Sequence, residues 1–271
     1  GKYLGWFLAA LMGVVLGLLF LGPNLIDPQN IAWLGGGLDP TQHYLGWVFY
    51  RNAPWGMPIG ASPLFGMEIA SSIVFTDSIP LLAILFKVMH SFLPSTFQYL
   101  GFWTIISFVL QALGAYALAS LLSANRFSRL VIVGFFIASP AMLIRMGFQT
   151  GLASHFLVLL ALYLNLRAPS RHQSLAWFVL ILLTSLIHFY LLAMILMLCL
   201  ADQMRQIQRG QLSLKRCIAQ SIAIGVALAF VFWQAGYLML LGAVASGNQY
   251  GVGRLNLLSI FNPDGWSYVL S

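Results

Sequence analysis

The sequence predicts an all-α, polytopic transmembrane bundle of about seven spans, and three observations predict it. Of 271 residues, 60% are hydrophobic and only 7% are charged, against about 25% charged in an ordinary soluble domain. The mean hydropathy is +0.88. Several apolar runs approach the about 20 residues that a helix needs to cross a bilayer, and the short alternating segments of a β-barrel are absent from the sequence. The chain reads as one membrane domain, residues 1–271, without internal repeats. Its net charge of +7 resides mostly in short loops rather than in a basic stripe, so nucleic acid is not an expected partner. Cys199 and Cys217 are far apart and lack metal-type spacing, which makes them packing residues.

The expected spans are 4–21, 99–122, 130–145, 150–167, 174–188, 190–204 and 217–243. The first run leads into Gly22-Pro23-Asn24-Leu25 without a small-x-small cleavage site, so it is expected to remain as a span. Basic residues set the orientation. Arg126 and Arg129 follow the second span, Arg167 and Arg171 the fourth, and Arg205, Arg209, Lys215 and Arg216 the sixth. These are alternate loops, so all of them face the cytoplasm together with the N-terminus. The stretch from Ser78 to Pro94 is apolar but short, and Lys87 and His90 interrupt it. It reads as an interfacial or re-entrant helix. Residues 22–98 then form one long external loop carrying juxtamembrane helices, and residues 244–271 begin an external C-terminal part.

The chain holds six acids, Asp27, Asp39, Glu68, Asp77, Asp202 and Asp264, and five of them fall on the expected external side. Acids hardly influence topology, so targeting does not account for their grouping. Asp39-Pro40-Thr41-Gln42 has the chemistry of a helix start, with Asp39 as cap and Pro40 in the first turn. A helix over 40–52 places His43, Trp47 and Tyr50 on one face, where the aromatics would anchor it to the membrane surface. The stretch Asn52 to Gly66, with three prolines and three glycines, excludes regular structure and must pack on protein or line a cavity. Asp77 stands where it could cap the following apolar helix. Arg145, at the outer end of the third span, runs against the positive-inside trend and suits a phosphate or an acidic partner. His188 and Tyr190 share the outer turn between the fifth and sixth spans, and Gln149 and His155 are weaker candidates nearby. Gly251-Val252-Gly253 follows no strand, and no nucleotide-binding, serine-hydrolase or zinc-protease motif is present.

Four stretches carry a family resemblance: LDPTQHYLGWVFYRNAPWGMPIG, FTDSIPLLAILFKVMHSFLPSTFQYLGFW, SPAMLIRMGFQTGLASHF and NLLSIFNPDGWS. With the long loop after the first span, the whole chain resembles the GT-C superfamily of polytopic glycosyltransferases, and more narrowly an uncharacterised bacterial GT-C-like family. At position 149 the pattern has histidine and this chain has glutamine. The resemblance implies a bacterial inner-membrane enzyme that works on the periplasmic face. It would move a sugar from a polyprenyl-phosphate donor to a glycan, lipid or protein acceptor. It implies Asp39 as the general base, with direct displacement inverting the anomeric carbon. Arg145, Arg51 or Arg254 would stabilise the departing phosphate. His43, Asp77, Glu68 and His188 complete the expected substrate layer. Asp77 and Glu68 either orient the acceptor or help hold a divalent metal, Mg or Mn, and Asp39 with Asp77 is the other metal pair. The competing expectations are a non-catalytic lipid- or glycan-binding assembly subunit on the same scaffold, and a transporter. Against the transporter, mid-membrane charges and paired broken helices are missing.

Overall fold

A computed structural model describes residues 3–66 and 71–239. The first helix, α1 (Leu4–Leu21), lies against α4 (Leu100–Ala119) along a stripe of small residues, Gly5, Ala9, Gly13 and Gly17. Their four-residue spacing puts them on one face, and the missing side chains let the backbones approach closely. A Cβ on Gly13 would fall 2.7 Å from the Phe108 carbonyl oxygen. Gly22 ends α1 at a φ of 81°, a conformation that favours glycine.

Among the described residues, four helices are long and apolar enough to cross a membrane: α1, α4, α9 (Phe189–Gln208) and α10 (Leu214–Ala235). A fifth crossing is available if α5 (Arg126–Ile137) and α6 (Pro140–Phe148) count as one span bent by 45°. Pro140 accounts for the break, because it has no N–H to continue the helical ladder. These apolar helices make the chain a membrane protein. The expected spans over 150–167 and 174–188 are realised only as α7 (Phe156–Leu166, 11 residues) and α8 (Gln173–Ser185, 13 residues). Each is shorter than the ~30 Å hydrocarbon layer at 1.5 Å per residue. Apolar sequence alone did not reveal that turns at 149–155 and 186–188 interrupt the helices. The last expected span ends early, because α10 stops at Ala235 and Gly236 adopts a φ of 88°.

The loop after α1 is largely built on protein. It holds α2 (Leu38–Asn52) and α3 (Pro80–Val88), and α3, at nine residues, is too short to span. The buried face of α2 carries His43, Trp47 and Tyr50, while Leu45 and Phe49 are exposed. This corrects the expectation of a surface belt: Trp47 Nε1 donates to the Phe97 carbonyl at 2.9 Å, and Tyr50 Oη to that of Ile59 at 2.9 Å. Each ring finds a buried polar partner, so it packs inward. The glycine- and proline-rich stretch is not wholly irregular either. Ala61–Ser62 (β1) pairs antiparallel with Ser71–Ser72 (β2). This ribbon docks on the end of α10, where Gly60 N donates to the Gln234 carbonyl at 2.8 Å and Ser72 Oγ to that of Gly236 at 3.0 Å.

Candidate functional site

Segments distant in sequence meet at the start of α2. Asp39 lies in the first turn of that helix, half-buried, and its side chain makes no capping bond. The expected cap is therefore corrected: the helix begins two residues earlier, with Gly37 at the N-cap position. The carboxylate turns to a tertiary partner instead. Gln149 Nε2 donates to Asp39 Oδ2 at 3.0 Å. The other end of the same amide, Gln149 Oε1, accepts from the Arg145 guanidinium. One neutral side chain thus stands between a carboxylate and a guanidinium. Arg145 and Gln149 come together because they are four residues apart at the end of α6.

His43 follows Asp39 by one turn and is only 2% exposed. Among the described residues its Nδ1 has no hydrogen-bond partner. Burial holds the imidazole below the ordinary histidine range, and the charges of Asp77 and Asp39 pull the other way.

Asp77 sits in a turn that is strained and tightly held. Asp77 and Ile79 have φ of 51° and 53°, the left-handed region, which is especially unfavourable for β-branched Ile79. Ser78 Oγ donates to the His43 carbonyl at 2.6 Å and lies 2.7 Å from Thr76 Oγ1, while Tyr99 Oη donates to the Ser78 carbonyl. Gly46 of α2 makes room for this turn, since a Cβ there would collide with Thr76 and Ser78. Asp77 does not cap α3, whose N-cap residue is Ile79. Burial raises its carboxyl above the usual range, His43 opposes that, and Asp39 adds to it. His188 Nε2 is 3.8 Å from Asp77 Oδ1. Burial, and after it Arg145, pushes His188 down to about 4. A neutral imidazole at that distance offers a dipole rather than an ion pair.

Two cavities flank this layer and share Tyr190. One, of about 950 Å³, runs between α4, α6, α7 and α9. Its walls are mainly apolar, with Arg145 and His155 among its polar groups. Burial, then Arg145, holds His155 below the ordinary range. The other, of about 520 Å³, lies between the Asp77 turn, the start of α9 and the end of α10.

Of the residues singled out in the sequence, the fold gathers Asp39, His43, Asp77, Arg145 and His188. Arg51 lies elsewhere, roughly 18 Å along α2 from Asp39 at 1.5 Å per residue. Its guanidinium donates to His90 Nδ1 at 3.0 Å and to the carbonyls of Ser95 and Leu93 at 3.0 and 3.1 Å. Those bonds tie α2 to the chain after α3 and leave the Arg51 donors engaged there. Glu68 and Arg254 lie outside the described residues. Among the described residues no three His, Cys, Asp or Glu side chains are placed to hold a metal. Gln149, a weaker candidate in the sequence, is the residue that the fold sets between Asp39 and Arg145. Its signal was a polar residue four positions after a charged one at the end of an apolar helix.

Asp202, the one acid not expected on the external side, lies roughly 20 Å along α9 from His188 at 1.5 Å per residue. It is wholly buried. Trp177 Nε1, Gln206 Nε2 and Gln173 Nε2 donate to its Oδ2 at 2.7, 2.8 and 2.9 Å, and Arg205 pairs with its Oδ1. Its oxygens are engaged by the fold.

The sequence matches, over residues 10–271, a family described as a domain of unknown function, DUF6311. No curated protein and no solved structure matches the chain.

Proposed function

This chain belongs to the DUF6311 family, and we propose that it is a membrane glycosyltransferase of the GT-C type. In this reading it spans the bacterial inner membrane with about seven passes, the turns that flank α7 and α8 completing the two short crossings. Its N-terminus is cytoplasmic and its site periplasmic. The donor is a polyprenyl-phosphate sugar and the acceptor carries a hydroxyl.

The observation that carries this reading is the Asp39–Gln149–Arg145 line beside the 950 Å³ cavity. Apolar walls suit a prenyl chain, and Arg145 at the same cavity suits its phosphate. Asp39 is the proton acceptor. As the acceptor oxygen attacks the anomeric carbon, its proton passes to the Asp39 carboxylate. The bond from that carbon to the phosphate oxygen breaks, and its electron pair leaves with the phosphate, where Arg145 offsets the added charge. Direct displacement inverts the carbon. The step uses only the chain's own residues.

A second reading has one observation in its favour. Gln149 occupies a position where the GT-C-like pattern has histidine, and an amide neither takes up nor releases a proton at neutral pH. A scaffold that binds lipid or glycan without turnover would tolerate this. The full chain in liposomes, supplied with radiolabelled polyprenyl-phosphate sugar and a membrane extract as acceptor, tests both. Transfer that falls about 10²–10⁴-fold in Asp39→Asn supports the transferase. Equal transfer by that variant removes Asp39 as base. Wild-type protein that binds the donor and never consumes it favours the scaffold.

A further inference from the structure

The 520 Å³ cavity is separate from the one that lines up with Arg145, and its chemistry differs. Its size is within the about 300–1,000 Å³ usual for small-molecule sites. Phe75, Phe189, Phe232 and Tyr237 make an aromatic wall. Tyr237 is its hub, with ring centroids 4.7 Å from Phe232, 5.9 Å from Phe189 and 6.5 Å from Phe75. The hub is pinned, because Tyr237 Oη donates to the Ser185 carbonyl at 3.0 Å. Two polar groups, Asp77 and His188, line the same cavity. The Asp77 side chain is 50% exposed and so accessible to a ligand, while that of His188 is 7% exposed.

A lipid tail would fill the aromatic part but leave the carboxylate without a donor, which is costly once water is excluded. A flat apolar molecule has the same defect. A pyranose or furanose ring satisfies both halves. Its C–H face lies on aromatic rings, and its hydroxyls donate to a carboxylate and accept from an imidazole. A small organic cation would also suit aromatic rings beside an acid. A nearby like charge argues against it: burial, and after it Arg145, disfavours a positive charge at His188, which lines the same cavity.

We infer that this aromatic and carboxylate chamber binds a carbohydrate, with Phe232 and Tyr237 against the sugar ring and Asp77 accepting hydrogen bonds from its hydroxyls. The chamber meets the donor cavity at Tyr190, which lines both. The bound sugar is accordingly the acceptor, so that the acceptor class is a glycan hydroxyl. That last role rests on the transferase reading, whereas the binding itself does not.

Saturation-transfer NMR on the full chain in nanodiscs, with methyl glycosides of neutral hexoses and pentoses as probes, tests the inference. Binding is expected for at least one glycoside, with transfer strongest at protons of one ring face. Phe232→Leu keeps the apolar volume and loses the ring, and it should weaken binding about tenfold. Asp77→Asn should weaken it too without lowering thermal stability. Absence of binding by every glycoside, with labelled donor still consumed, overturns the chamber and leaves the transferase intact. Glycoside binding without any donor consumption keeps the chamber and removes the acceptor role. Binding of tetramethylammonium in place of the sugars, abolished by Phe232→Leu, makes the chamber a cation site and overturns the inference.

Discussion

Asp202 and Asp39 are carboxylates of the same bundle with opposite surroundings. Asp202 is buried and receives three neutral donors and one guanidinium. Among the described residues Asp39 is half-buried and receives one amide, with Arg145 held off behind that amide. A saturated carboxylate fastens helices together, because its donors come from α8 and from α9 itself. An unsaturated one, near a strained turn and a histidine whose Nδ1 has no partner among the described residues, keeps bonding capacity for something else. The difference separates an acid that holds the fold from one the fold holds ready.

The largest expected effect tests the first half of that contrast. Asp202→Ala strands Arg205 and three other donors without a partner, and should cost about 3–5 kcal/mol, read as loss of folded protein or a large drop in melting temperature. Asp39→Ala should cost about 1 kcal/mol or less. Equal losses for the two variants break the comparison.

The next effect concerns the Asp77 turn. Gly46→Ala forces a Cβ onto Thr76 and Ser78. Overpacking of this kind costs about 1–3 kcal/mol, and the displaced turn should weaken any ligand contact with Asp77. A melting curve identical to wild type shows that the turn yields freely.

A third effect follows from His188, whose folded value of about 4 lies below its ordinary 6.5. Between those values the unfolded chain binds more protons than the folded one, so stability is full above about pH 6.5 and declines as pH falls toward 4. Asp77, raised rather than lowered, has the opposite sign: its share is present at low pH and lost as pH rises through its folded value. His188→Gln should flatten the acid decline, a change of roughly 3 kcal/mol across that window. A decline just as steep in the variant assigns it to other groups.

The smallest stability effect sharpens the comparison most. Gln149→Ala removes the spacer and lets Arg145 close on Asp39. Stability should change by about 1 kcal/mol or less, while donor turnover drops and its pH profile shifts. Gln149→Asn should recover neither, because its shorter side chain cannot reach both groups. An unshifted profile in both variants removes the spacer role.

Much of the architecture was legible in the sequence. The helical membrane class follows from composition, and the α3 segment announced itself as too short to span by its length and by Lys87. Arg145 was legible as a cation suited to a phosphate or an acidic partner, and the fold puts it at one remove from Asp39, behind Gln149. The rest depended on contacts that local pattern does not encode. Asp39 and Asp77 carry the chemistry of helix caps, yet both turn to residues elsewhere in the chain, Asp39 to one 110 positions away. Trp47 and Tyr50 have the chemistry of an interface belt, yet distant carbonyls draw them into the interior. Hydropathy also runs smoothly through the turns that shorten α7 and α8, because a bend needs only one or two residues.

The Gln149 amide has a direction, and only one orientation suits its place. Turned over, it would set its oxygen against a carboxylate and its NH₂ against a guanidinium. Locked as it is, it works like the insulating layer of a capacitor, keeping two opposite charges apart that would otherwise discharge into a single closed pair. The separated pair is fixed beside the cavity that Arg145 lines, already oriented before any molecule arrives.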